Sequence, residues 1–249
     1  NSIPGKSNKV LAKYSDVIGV TFDTTMKYFK HDNVIYTGHP RSDEAISAKK
    51  VDKTTLGFNK DKKLVVIVLG SLGSSSLNTI IKQYIDLIKN EDYEVLYITG
   101  KAHYEKYNNV KLPSNVKILP FYDNLIGLFK DTDAVISRAG SGVLNEIIAL
   151  NIPSIIIPSP NVANNHQYYN AKDLSDKKAC IMESEDKLKA DFLKTNVDKL
   201  LNYDIYRKER IDNLKKCTVQ NSTDIIYNSI KDSRDESTKW CFNEKLYYL

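Results

Sequence analysis

Apolar residues in this chain follow two rhythms that alternate along it. One is the short continuous run. Leu64-Val65-Val66-Ile67-Val68-Leu69 is the strongest, and others lie at 94–98, 116–119, 134–136, 154–157 and 179–181. Several are apolar at nearly every position, the pattern of strands buried on both faces, as in a parallel sheet. The other rhythm has spacings of three and four. Leu77, Ile80, Ile81, Tyr84, Ile85 and Ile88 form one helical stripe, and Val143, Leu144, Ile147, Ile148 and Leu150 form another. Strand and helix in regular alternation predict a doubly wound α/β domain over about 62–200.

The flanks read differently. Residues 1–40 hold a short helix signal at 8–14, two short strand signals at 17–20 and 34–36, and then Gly38-His39-Pro40. Two such strands cannot close a domain, so they are read as the end of a preceding one. Residues 203–232 read as one or two amphipathic helices, and 233–249 is charged and then aromatic (Trp240, Phe242, Tyr247, Tyr248). The organisation expected is therefore 1–40 as the end of an N-terminal domain with a hinge, 41–228 as a ligand-binding domain, and 229–249 as a crossing helix or tail.

Composition adds bounds. The 249 residues are 41% hydrophobic, which suits a buried core rather than disorder. The net charge of +5 is mild over this length, a solvated Lys-rich surface or a weak attraction to anionic membranes or phosphorylated ligands. Cys180, Cys217 and Cys241 are odd in number and lack CxxC spacing, against a disulfide framework or zinc site and in keeping with a reducing compartment. No apolar run reaches the ~18 residues of a membrane span. The start lacks both an initiator Met and a signal-peptide core, and a fragment, a processed product or a gene model without its start is expected.

The chemistry gathers after the strands. Gly70-Ser71-Leu72-Gly73-Ser74-Ser75-Ser76 comes after the strongest strand and opens the clearest helix. Glycines let backbone approach a ligand, and a helix start offers free N–H groups to phosphate; the plain alternative is a tight turn with a serine cap. The loop is neither GxGxxG nor GxxxxGK[ST], and the next strand ends Tyr97-Ile98-Thr99-Gly100 with no carboxylate for a ribose. A dinucleotide dehydrogenase and a P-loop ATPase are disfavoured. Ser137-Arg138-Ala139-Gly140-Ser141-Gly142 is a second loop of the kind, ahead of Glu146, which lies at the border of a helical stripe. A carboxylate there can accept both hydroxyls of a ribose diol, or merely favour the helix dipole. Asn164-Asn165-His166-Gln167-Tyr168-Tyr169-Asn170 opens another helix with groups suited to sugar hydroxyls and an acetamido group, or with an ordinary cap. Phe121-Tyr122-Asp123-Asn124 could hold a flat base or be a loop with a half-buried aromatic. No nucleophile elbow, HExxH or EF-hand loop is found, and no metal or other cofactor is expected.

In this order, the motifs resemble those of the UDP-N-acetylglucosamine transferases that convert lipid I to lipid II in peptidoglycan synthesis. Asn1-Ser2-Ile3-Pro4-Gly5 is similar to the residues just after that family's His-Glu-Gln segment, and Thr37-Gly38-His39-Pro40-Arg41 to its Gly-Asn-Pro-hydrophobic-Arg hinge. Gly70 to Gly73 resembles its second glycine loop, Ser137 to Glu146 its Arg-Ser/Ala-Gly…Glu segment, and His166-Gln167…Asn170-Ala171 its His-Gln…Asn-Ala helix start. The resemblance implies the two-domain GT-B glycosyltransferase fold, with the donor bound by the doubly wound C-terminal domain. It places Ser71 at the diphosphate, Tyr122 at uracil through its backbone, Glu146 at the ribose, His166 and Gln167 at the GlcNAc hydroxyls, and Arg41 near the uracil or the hinge. Asn1, Gly70, Gly73, Gly140 and Ser141 complete the implied UDP-GlcNAc site.

The same resemblance implies an inverting transfer of GlcNAc to an undecaprenyl-linked muramoyl-peptide. It also implies a cytoplasmic enzyme, peripheral on the inner face of the plasma membrane, with no nucleic-acid partner. The chain departs from the pattern at Leu72 (usually Gln), at Leu69 (usually Gly) and in a hinge one residue shorter before Arg41. The N-terminal domain, with its glycine loop, membrane-facing patch and general base, is absent apart from its last elements, so no catalytic residue is assigned. Two alternatives share this reading of the residues: a nucleotide-sugar-binding subunit of a two-chain transferase, and a UDP-GlcNAc epimerase of the same fold.

Overall fold

The computed structural model describes residues 1–30, 33–69, 75–107 and 110–245, with backbone only at 75–76 and 234–245. The chain begins with α1 (Lys6–Leu11), a 3-10 turn at Ala12–Tyr14, and β1 (Ile18–Val20). A second 3-10 turn (Asp23–Tyr28) leads to β2 (Val34–Tyr36), which pairs with β1 in parallel, Ile18 opposite Val34 and Val20 opposite Tyr36. Helix α2 (Pro40–Ser47) then crosses to the larger unit. Its start has proline at N1, where the missing N–H is no loss, and the His39 ring accepts the Arg41 N–H at 3.1 Å.

The larger unit alternates as its periodicity predicts: β3 (Lys63–Val68), α3 (Ser75–Leu87), β4 (Tyr93–Ile98), α4 (Lys101–Tyr104), β5 (Val116–Leu119), α5 (Leu125–Phe129), β6 (Ala134–Ser137), α6 (Ser141–Ala149), β7 (Ser154–Ile156), α7 (His166–Asp176), β8 (Ile181–Met182), α8 (Ala190–Asn202), α9 (Asp204–Cys217) and α10 (Ser222–Lys245). The sheet is parallel throughout, in the order β5-β4-β3-β6-β7-β8. Direction of growth reverses between β3 and β6, so a crevice opens at their carboxyl ends, the place where doubly wound sheets bind ligands. Both faces are dry. Val65 and Ile67 of β3 face a core with Leu77, Ile81 and Tyr84 of α3 and Leu193, Val197 and Leu200 of α8. Leu64 and Val66 face the other core, with Leu128 and Phe129 of α5, Leu144 and Ile147 of α6, and Leu174 of α7. Alternate side chains of one strand thus enter opposite layers, which is why the run is apolar without a break.

The 179–181 run is a correction. Lys178 takes a left-handed φ of 53°, and the Ala179 N–H returns to the Leu174 carbonyl at 2.8 Å. Ala179 and Cys180 are therefore buried in the turn closing α7, and the strand is only Ile181–Met182. The helix signal at 8–14 begins earlier, at Lys6, and tightens to a 3-10 turn from Ala12. The amphipathic reading of 203–232 also needs revision. Two helices form, but α9 buries only Arg210 and Leu214, with the Arg210 guanidinium 3.4 Å from the Tyr206 ring centre. Residue 229, read as the start of a crossing helix or tail, lies inside α10, which runs unbroken from Ser222. Ile226 and Ile230 of that helix line a groove with Gly19 and Ile35, so α10 crosses back to the small sheet.

Candidate functional site

The loop after β6 edges the crevice; Gly70, Ser71 and Gly73, which follow β3 in sequence, lie outside the described residues. In the loop after β6, Gly140 has extended backbone (φ −67°, ψ 138°) and caps α6, whose first residue is Ser141. The Asn145 amide donates to the Ser141 carbonyl at 2.7 Å. A Cβ added at Gly142 would meet nothing within 4 Å, so space lies over the first turn, where N–H groups have no intrahelical partner.

One turn further on, Glu146 is 4% exposed, deeper than the stripe border where the helical wheel puts it. The reason is α2, which packs along α6 and covers that edge. From α2, Arg41 donates to Glu146 Oε1 through Nε at 2.9 Å and also through Nη2. Its Nη1 lies 3.1 Å from Glu44. Oε2 of Glu146 has no hydrogen-bond partner among the described residues. Burial pushes the Glu146 pKa up, and Arg41 pulls it back only in part. The hydrogen bond to Glu146 raises the pKa of Arg41, against its own lesser burial. The family resemblance puts Arg41 near the uracil or the hinge and Glu146 at the ribose; the fold brings the two into direct contact.

The polar run before α7 is bent by two left-handed asparagines, Asn164 (φ 54°) and Asn165 (φ 50°). His166, half-buried, donates from Nδ1 to the Ala163 carbonyl at 2.9 Å, since a carbonyl can only accept; Nε2 is left as an acceptor. Gln167 Oε1 accepts the Ser159 N–H at 2.9 Å, which ties its amide to the loop after β7 and leaves its NH₂ as the donor. Both residues therefore stand at the carboxyl end of β7, one strand from the β3–β6 reversal. Tyr122 packs its ring partly into the core beneath β5 and α5, while Phe121 is 51% exposed with Lys101 Nζ 5.7 Å from its ring centre. A flat partner stacking here would meet Phe121; Tyr122 has its backbone to offer.

Asn1 joins the site through Asn170, a residue whose structural role the sequence did not reveal. Asn170 is fully buried. Its Oδ1 accepts the Ser2 N–H at 2.7 Å and the Ser2 hydroxyl at 3.0 Å, while its NH₂ donates to Asn1 Oδ1 at 3.0 Å and to the Ala139 carbonyl at 3.1 Å. One amide thus links the N-terminal segment to the loop after β6. The available signal was an asparagine four residues before Leu174, in register with the buried face of its helix. Arg138 also does more than mark a motif. Its Nη1 reaches the carbonyls of Ile157 and Pro158 at 3.3 Å, and its Nη2 lies 2.6 Å from Glu185, so it clamps the loops after β6, β7 and β8. Nothing local announces that clamp, because its partners come from later turns of the fold.

Known proteins resemble this chain in sequence and in fold. Residues 64–226 match the model described as the glycosyltransferase family 28 C-terminal domain. The chain is 41% identical over 206 residues to the UDP-N-acetylglucosamine–N-acetylmuramyl-(pentapeptide) pyrophosphoryl-undecaprenol N-acetylglucosamine transferase of Bacillus cytotoxicus, covering 81% of this chain and 57% of that protein. It therefore spans little more than half the length of that relative. Among solved structures, MurG of Acinetobacter baumannii superposes with a TM-score of 0.73 at 21% identity, covering 93% of this chain and 65% of that one. A Listeria monocytogenes structure described as a putative UDP-N-acetylglucosamine 2-epimerase reaches 0.74 at 13% identity, over 94% and 64% of the two chains. At such identities the structural likeness speaks for the GT-B fold alone. The sequence match over most of the larger unit goes further: the chain belongs to glycosyltransferase family 28 and carries the family's C-terminal domain.

Proposed function

We propose that this chain is the donor-binding half of a transferase that moves GlcNAc from UDP-GlcNAc to the muramoyl 4-hydroxyl of an undecaprenyl-linked muramoyl-peptide. The observation that carries the reading is Glu146: a buried carboxylate beside the strand-order reversal, with one oxygen uncommitted among the described residues. A buried acceptor at that place suits a ribose diol. The open first turn of α6 suits the diphosphate, and the His166 and Gln167 side chains suit sugar hydroxyls. The name of the Bacillus cytotoxicus relative supports the choice of donor and acceptor.

In the reaction, the acceptor oxygen forms a bond to C1 of GlcNAc while the bond from C1 to the β-phosphate oxygen breaks, with inversion. UDP leaves with the electron pair, and the hydroxyl proton passes to a base on the acceptor-binding domain. This chain's part is to hold the nucleotide and to stabilise charge growing on the diphosphate through fixed N–H groups, without a metal. No helix among the described residues is long and apolar enough to cross a membrane; contact with the lipid-linked acceptor at the inner membrane face belongs to the acceptor domain.

Calorimetry tests the site. UDP should bind this chain without magnesium, and no heat at millimolar UDP would sink the reading. Glu146→Ala should weaken UDP by about 1–3 kcal/mol, the cost of a lost hydrogen bond to a charged group, and should barely affect 2′,3′-dideoxy-UDP. The epimerase-like structure makes a second reading worth one control: UDP-GlcNAc incubated without acceptor should keep its sugar unchanged.

A further inference from the structure

Arg138 ties together three loops at the carboxyl ends of the sheet. It follows β6 directly, and its Nη1 donates to the carbonyls of Ile157 and Pro158, just past β7, at 3.3 Å. Its Nη2 lies 2.6 Å from Glu185, just past β8. Both side chains are largely buried, 9% exposed for Arg138 and 13% for Glu185. Stability is a poor reason for such a pair, since apolar side chains of similar volume often serve as well. What the pair supplies is direction: a planar guanidinium meets a carboxylate and two carbonyls together only in a fixed orientation. From Pro158 the chain of contacts continues. The next residue, Ser159, donates its N–H to Gln167 Oε1 at 2.9 Å and so orients the amide at the start of α7. A carboxylate after β8 thus reaches the Gln167 amide through one guanidinium and a short piece of loop.

We propose that Glu185 is a positioning residue for the sugar end of the donor site: by anchoring Arg138 it fixes the loop after β7, and that loop sets which way the Gln167 NH₂ faces. This rests on the nucleotide-sugar reading above, with Gln167 at a sugar hydroxyl. A buried guanidinium that loses its counter-ion turns toward water, and its contacts to the Ile157 and Pro158 carbonyls go with it. The effect is confined to the sugar because the loops are held differently. The loop after β6, which leads into Gly140 and Ser141, keeps a second tie: the Ala139 carbonyl accepts from the Asn170 amide at 3.1 Å. At Pro158 and Ser159 the ties are Arg138 on one side and Gln167 itself on the other.

The test is calorimetry of UDP and of UDP-GlcNAc with the unaltered chain, Glu185→Gln, Gln167→Ala and the two combined, with thermal unfolding to verify folding. Glu185→Gln should bind UDP within about twofold of the unaltered chain and UDP-GlcNAc about three- to tenfold more weakly, the worth of one neutral hydrogen bond. Gln167→Ala should show the same split between the ligands. Adding Glu185→Gln to it should weaken UDP-GlcNAc no further, because the two act through one contact. Arg138→Met together with Glu185→Leu covers the case in which Glu185→Gln fails to fold. An apolar pair can sustain the fold but cannot grip the Pro158 carbonyl, so the split should reappear. An equal loss for both ligands would mean general loosening, and undiminished UDP-GlcNAc binding in Glu185→Gln or in the apolar pair would mean a bystander. A further loss on top of Gln167→Ala would mean that Glu185 acts by another route. Each of these overturns the proposal alone and leaves the donor site standing. Absence of UDP binding by the unaltered chain would overturn it together with the site.

Discussion

Replacing Asn170 by alanine removes a single amide that four hydrogen bonds converge on. Two of the groups left behind have no easy substitute. The Ser2 N–H belongs to a residue 4% exposed, and the Ala139 carbonyl to one that is fully buried. A buried group stripped of its partner costs about 1–3 kcal/mol, so two set the loss at about 2–6 kcal/mol, toward the lower end if water enters the space. The Asn1 side chain and the Ser2 hydroxyl can turn to solvent and add little. Asn170→Asp sharpens the test. It keeps an acceptor for Ser2 but turns an oxygen toward the Ala139 carbonyl and Asn1 Oδ1, so it should also destabilise. Two measurements separate local from global effects: urea unfolding monitored by circular dichroism, and limited proteolysis of residues 1–22. The strain falls first on the N-terminal segment, which Asp23 and Lys177 still hold at 2.6 Å. Faster cleavage there should accompany a lower urea midpoint. Unfolding within 0.5 kcal/mol of the unaltered chain, with unchanged cleavage, would refute the view that this amide holds the segment against the loop after β6.

The hinge gives two further outcomes. Gly38 has φ 67°, and a Cβ there would lie 2.6 Å from both Ser222 Oγ and Val219 Cβ. Gly38→Ala should therefore cost about 1–3 kcal/mol in backbone strain alone, with more from displacing the start of α10; a change under 0.5 kcal/mol in chemical unfolding would contradict this. Asp43 accepts the Ser222 N–H at 3.2 Å and the Thr223 N–H at 2.7 Å, capping α10 from another helix. Its removal in Asp43→Ala should cost about 0.5–2 kcal/mol in the same assay. Partial burial acts to raise the Asp43 pKa but is outweighed by these N–H groups, so the folded pKa lies below the ordinary value. The cap's contribution is then complete above the ordinary carboxylate range and fades as pH falls through the folded pKa. A pH titration of stability should show a smaller acid-side loss in Asp43→Ala, and identical slopes would exclude the cap.

Much of the fold is local and so was readable along the chain. The unbroken run 64–69 implies burial on both faces, and Leu64 and Val65 do enter opposite cores. Stripes of period three and four locate α3 and α6, although α6, covered by α2 as well as by the sheet, buries all of 144–149. Glycine- and serine-rich loops after strands were visible for the same reason: the demand for tight backbone lies within a few residues. What failed was also local in appearance. Ala179 and Cys180 read as strand because burial looks alike in a strand and in a closing turn, and only the left-handed Lys178 separates them.

The amino-acid order by itself therefore determined the α/β class, the places where loops and helix starts could meet a phosphate, and, through motifs in sequence, the family. The tertiary structure alone decided what those residues touch. Strand order sets which loops share the crevice, and that order comes from non-local pairing such as Val65 with Ala134. Glu146 meets Arg41 across 105 residues and Asn170 meets Ser2 across 168, through side chains whose neighbours no window of sequence contains. A periodic pattern records which face of an element is buried; it carries no record of the element that buries it, because apolar burial is non-directional. The partner of a buried carboxylate or amide is fixed only when the layers close.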